Sequence, residues 1–119
     1  MNKVKITSIS SDEIRFDNGA SLSSHHHQDC CEHHYLEFNY VKIDEVKDLE
    51  FDLSGDSFFK KIDGYGIELI PLNGFSVKIP GYADNNGYYS SDLSLDLYNG
   101  EGNKIKSWDI TECQTGGHN

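Results

Sequence analysis

Ile14-Arg15-Phe16-Asp17-Asn18-Gly19-Ala20 is the stretch on which the fold reading turns. Ile14 and Phe16 alternate with Arg15 and Asp17, the period of a half-buried strand. Asn18-Gly19 follows, and because both residues tolerate positive φ the pair marks an antiparallel hairpin turn. Upstream, Lys3 to Ile9 carries Val4 and Ile6 on one parity, and Ser10-Ser11-Asp12-Glu13 is a polar turn between the two strands. Downstream, the return strand runs from Ala20 into a run of histidines. The first 28 residues therefore read as a three-stranded meander.

Farther along, His34, Leu36, Phe38 and Tyr40 share one parity, and His33, Tyr35, Glu37 and Asn39 the other, so another strand is expected. Ile43, Val46 and Leu49 follow at a spacing of three, with Asp44 and Glu45 at the start, which suits one short helix near 43–49. Residues 52–64 read as a loop interrupted by Phe58-Phe59. Ile67 and Leu69 begin a strand before Pro71, Asn73-Gly74 is a second hairpin turn, and Phe75, Val77 and Ile79 mark a strand ending at Pro80-Gly81. Leu93, Leu95 and Leu97 form the clearest alternation in the chain, and Ile105 to Ile110 a last strand containing Trp108. Residues 114–119 are expected to fray. The whole, 1–119, reads as a single domain, mainly β, of seven to eight short strands. An antiparallel sandwich, a barrel or a strongly curved sheet all fit.

With 119 residues the chain is long enough to bury a core without a metal or disulfide staple. Ten Lys and Arg stand against twenty Asp and Glu, a formal charge of −10. That balance opposes binding to nucleic acid, whose backbone is met by several basic groups, and adsorption to anionic membranes. No apolar run approaches the roughly 20 residues of a membrane span. The N-terminal residues lack the apolar stretch of a secretory signal, and the three cysteines are an odd number, so a reduced, cytoplasmic protein is expected.

Ser24-His25-His26-His27-Gln28-Asp29-Cys30-Cys31-Glu32-His33-His34 places five histidines and two cysteines in eleven residues. Imidazole and thiolate are the preferred ligands of zinc and related ions. On a strand His25 and His27 project to one face, and a turn through Asp29 to Glu32 returns His33 or His34 beside them. The candidate metal set is therefore His25, His27, Cys30, Cys31 and His33, with zinc as the implied cofactor. The plainer alternative is favoured: His34 is a core residue, the cysteines are small turn hydrophobes and the other histidines are solvated. Cysteine-dependent catalysis at Cys30 or Cys31 is the weakest of the three readings, because no pocket or oxyanion donor accompanies them. Asp52, Ser54 and Asp56 fall at positions one, three and five of a calcium loop, but Ser57 stands where that loop requires glycine. Tyr82 to Asp92, rich in tyrosine, amide and hydroxyl groups, is either an adaptable binding surface or a capped hairpin.

His26-x-Gln28-Asp29-Cys30-Cys31-Glu32, followed by Tyr35-Leu36-Glu37-Phe38, resembles a motif of a family of small uncharacterised phage and bacterial domains. Asn86-Gly87-Tyr88-Tyr89-Ser90-Ser91-Asp92-Leu93 is similar to segments of the same group. The resemblance implies a bacterial or phage intracellular protein and supplies no activity. The expectation is an acidic binding or accessory module for an unknown protein or small-molecule partner, without a cofactor and without catalysis. Transition-metal binding is the alternative.

Overall fold

The computed structural model describes residues 3–25, 33–84 and 93–116. Lys3–Ile9 (β1), Glu13–Phe16 (β2) and Ser21–His25 (β3) form the expected meander, all antiparallel. Val4, Ile6, Ile14, Phe16 and Leu22 are its buried row. The tip between β2 and β3 is closed by the Phe16 N–H donating to the Ala20 carbonyl and the Ala20 N–H donating to Asn18 Oδ1. Gly19 sits at φ 90°, and a Cβ there would lie 3.1 Å from the Gly100 Cα, so the turn demands glycine twice over.

His33–Leu36 (β4) is shorter than the strand expected there. After Leu36 the backbone enters a 3-10 turn over Phe38–Tyr40, which buries Phe38 and leaves Tyr40 exposed, so the parity of Leu36 and Phe38 does not extend to Tyr40. Ile43–Val46 (α1) is the single short helix of the expected region; Val46 is buried and Leu49 follows it inward. Glu50–Asp52 (β5) is a strand at the edge of the expected loop over 52–64, and Phe59–Ile62 (β6) a strand inside it. The two lysines of Phe59-Lys60-Lys61-Ile62 mask the period, and pairing supplies what patterning lacks: Phe59 lies opposite Leu69 and Ile62 opposite Gly66 of Gly66–Leu69 (β7).

Val77–Asp84 (β8) runs through Pro80-Gly81, where a strand end is expected. Within a strand the N–H and C=O of one residue face the same edge. The Pro80 carbonyl accepts from Glu37 N–H, while Gly81 N–H donates to the Tyr65 carbonyl on the β7 side. The missing proline donor thus faces Glu37 at the end of the β4 ladder, where the pair makes one bond instead of two, and the ladder stops there at no cost to its interior. Phe75, expected in this strand, lies outside it and is 87% exposed. Ser94–Tyr98 (β9) and Lys104–Asp109 (β10) form a hairpin with an irregularity between Lys104 and Lys106. Thr115–Gly116 (β11), in the segment expected to fray, pairs in parallel with Tyr82 and Ala83.

Eleven strands are thus found among the described residues, in two sheets. The first, in the order β10-β9-β3-β2-β1-β5, is antiparallel throughout and curls into a half-barrel. The second gathers β4, β7 and β11 around β8, with β6 beyond β7. The open seam of the half-barrel, between β10 and β5, is bridged by Lys106 Nζ, which donates to the carbonyls of Ser54 (2.6 Å) and Gly55 (3.3 Å). Phe58 and Phe59 pack on Trp108 with ring centroids 5.6 and 5.0 Å away, joining the seam to the second sheet. The register of the pairs assigns every strand terminus of the half-barrel to one of two ends. One end carries Ser10 to Glu13, His25, Ser94 and Asp109; the other carries Lys3, the Asn18-Gly19 tip, Asp52, Tyr98 and Lys104.

Candidate functional site

The histidine-cysteine cluster begins and ends on neighbouring strands at the first of these ends. His25 closes β3 opposite Ser94, exposed, and its carbonyl accepts from Ser94 Oγ at 3.3 Å. His33 opens β4 opposite Asp84. The two strands touch where the Leu36 N–H donates to Ser24 Oγ at 3.0 Å. His27, Cys30 and Cys31 lie outside the described residues. Among the described residues no three His, Cys, Asp or Glu side chains gather as metal ligands would. Gly81 to Asp84 belong to β8, and the rest of the tyrosine-rich segment, 85–92, lies outside the described residues.

Cys113 is fully buried, and burial pushes its thiol pKa up, so near neutral pH it is a protonated, inert hydrophobe. The Asp52 carboxylate is engaged in its own turn. Its Oδ1 accepts from Ser54 Oγ (2.6 Å) and Ser54 N–H (3.0 Å), and these bonds, the hydroxyl first, hold its pKa below the ordinary value of 3.8.

A cleft of about 630 Å³ opens between the β1–β2 turn, β3, and β4 with the turn that follows it. Ser11, Asp12 and Glu13 form one wall, braced by Ser10, whose Oγ accepts from the N–H groups of Asp12 (3.3 Å) and Glu13 (3.2 Å). Glu13, at the start of β2, receives Arg15 Nε at 2.5 Å. Ser23 and Ser24 form the floor, and Tyr35, Glu37 and Asn39 the opposite wall. Tyr35 is 42% exposed. Glu37 also lies near Tyr65, whose pKa is raised by burial first and then by the charges of Tyr40 and Glu37. Three carboxylates, serine hydroxyls and an aromatic ring make a surface rich in hydrogen-bond acceptors and negative charge. The shared parity of Tyr35, Glu37 and Asn39 was the sequence signal for one wall. Asp12 gave none, because a polar turn residue looks the same whether it lines a cleft or only meets water.

Comparisons with protein-family models, curated proteins and solved structures find no match for this chain. No helix among the described residues is long and apolar enough to cross a membrane.

Proposed function

We propose that this chain is a small cytoplasmic binding module without catalytic activity, whose polar cleft holds a cationic group, a lysine or arginine side chain of a protein partner. The observation that carries the reading is the lining of the cleft, which Asp12, Glu37 and Tyr35 share with the Glu13 carboxylate that already holds Arg15. A guanidinium or ammonium entering it meets carboxylate acceptors and an aromatic face, both of which favour a cation. The formal charge of −10 acts in the same direction over longer range, concentrating cations near the surface and speeding encounter in a salt-dependent way.

Fluorescence anisotropy of labelled pentalysine tests it. Saturable binding that weakens with salt is expected, with none to pentaglutamate. Asp12→Asn combined with Glu37→Gln should weaken binding at least tenfold. Asp44→Asn combined with Glu45→Gln removes two charges from α1 and should leave binding within about twofold. Equal losses in the two variants would reduce the effect to net charge and overturn the site.

A second reading, a transition-metal module using His25, His27, Cys30, Cys31 and His33, is supported by one observation: the cluster spans two strands joined through Ser24 and Leu36. Imidazole and thiolate suit zinc. Elemental analysis of protein purified without an affinity tag should then find close to one zinc per chain, and its absence, with no thermal shift on adding zinc, rejects this reading. Kinship with the small phage and bacterial domains rests on the motif from His26 to Glu32 and belongs with these proposals.

A further inference from the structure

The far end of the half-barrel holds a second cavity, of about 350 Å³, unrelated to the cleft. Val4, Ala20, Leu53, Leu97 and Ile105 make its apolar lining, beside Ser54 and Gly100. Val4, Ala20 and Leu97 belong to the buried core, whereas Ile105 is 53% exposed beside the β9–β10 irregularity, so the cavity reaches from the inner face of the sheet to its rim. Lys106 Nζ pins the Leu53-Ser54 wall by its bonds to the Ser54 and Gly55 carbonyls. At the mouth stand two asparagines, Asn18 and Asn99. Their side-chain oxygens are occupied: Asn18 Oδ1 accepts from Ala20 N–H (3.0 Å), and Asn99 Oδ1 from the N–H groups of Glu101 (2.9 Å) and Asn103 (3.0 Å). These bonds fix which end of each amide is oxygen. They leave both Nδ2 groups as donors that the turns do not use.

We propose that this cavity binds a small neutral molecule with an aliphatic body and a hydroxyl or carbonyl head. The volume lies at the low end of ligand sites, which run from about 300 to 1,000 Å³, and suits a small molecule rather than a segment of another chain. The apolar walls select the body by removing its surface from water. The two amide donors select a head that accepts hydrogen bonds, so an ammonium finds no partner there. A carboxylate head accepts such bonds too but gives up more hydration than a neutral head, and the ammonium groups at this end are engaged, Lys106 on the Ser54 and Gly55 carbonyls and Lys104 beside Asp96.

The test compares three eight-carbon probes, 1-octanol, octanoate and octylammonium, by ¹H–¹⁵N chemical-shift titration. Saturable shifts centred on Ala20, Leu97 and Ile105 are expected with 1-octanol, and at least tenfold weaker binding of both charged probes. Ile105→Asp puts a charge on the exposed rim without entering the core and should cut 1-octanol affinity at least tenfold. Asn18→Asp combined with Asn99→Asp keeps both turn acceptors, removes both donors and should weaken 1-octanol by a similar factor. Failure of 1-octanol to saturate, indifference to Ile105→Asp, equal binding of the three heads, or shifts centred on Asp12 and Tyr35 would each overturn the proposal. Pentalysine binding at the opposite end is independent of every one of these outcomes.

Discussion

The two ends of the half-barrel are built from the same strands and differ in almost every chemical respect. β1 enters at the cavity end with Val4 and leaves at the cleft end through Ser8 and Ser10; β3 starts beside Ala20 and ends in Ser23-Ser24-His25. The cavity end is aliphatic with amide donors at its mouth, and the cleft end offers carboxylates, hydroxyls and a tyrosine. Alternation across the sheet decides which residues face the core. The change of composition along each strand, which alternation ignores, decides what each end can hold. One inner row shows both effects: Leu22 is fully buried, and Ser24, on the same parity two residues on, turns its hydroxyl to β4.

Cutting the strands where the ends meet should have the largest effect. Leu22 lies between Ile14 and Leu97 in the register and is fully buried. Leu22→Ala should cost about 2–5 kcal/mol, measured by urea unfolding. A loss below about 1 kcal/mol would mean that the ends are held up separately.

Ser24→Ala separates them more gently. It removes the acceptor of the Leu36 N–H and with it a tie between β3 and β4. The expected cost is about 1–2 kcal/mol, the usual penalty for a partly buried donor left without a partner. Pentalysine binding at the cleft should fall, because Tyr35 stands beside Leu36, while 1-octanol shifts at the cavity persist. Equal losses at both ends would show that the half-barrel responds as one unit.

How much of this was legible beforehand follows the same division. The meander, the Leu93–Leu97 strand and the turn of helix at Ile43 were readable because each carries its own period or turn chemistry. β5 and β11 were not, because strands of two or three residues owe their existence to partners distant in sequence, and β6 was not, because Lys60 and Lys61 mask its period although β7 lies only a turn away. Asp96 shows the limit of alternation. Its parity is opposite to that of Leu95 and Leu97, yet it is 1% exposed. Ser107 Oγ (2.6 Å) and Ser94 Oγ (3.1 Å) donate to its Oδ1, and Lys104 Nζ lies 3.8 Å from Oδ2. The candidate site divides likewise: imidazoles at His25 and His33 are read directly from the sequence, whereas the placing of Asp12 and Glu37 on one cleft depends on the path of the chain between them.

The smallest expected effect is the sharpest test of whether the ends are independent. Each end carries the same small device. Asp52 at the cavity end accepts from the N–H and Oγ of Ser54, and Asp109 at the cleft end from the N–H (3.0 Å) and Oγ (2.5 Å) of Thr111. In both, the side-chain hydroxyl is the largest cause and the backbone N–H the next, and both carboxyls are held below 3.8. A carboxyl whose folded pKa is depressed contributes stability that is present above the ordinary value and is lost as pH falls through the lower, folded one. Both should therefore titrate below 3.8 in a carboxyl-detected NMR series, with acid sensitivity confined to that window. Ser54→Ala should raise the midpoint of Asp52 and leave Asp109 where it was; Thr111→Ala should do the reverse. These carboxylates lie on the surface, where solvent screens them, and each has its own neighbouring lysine, Lys106 for Asp52 and Lys61 for Asp109. A midpoint that moved at the far end would therefore need transmission through the strands themselves, and the half-barrel would then be a single coupled element rather than a scaffold with two separate mouths.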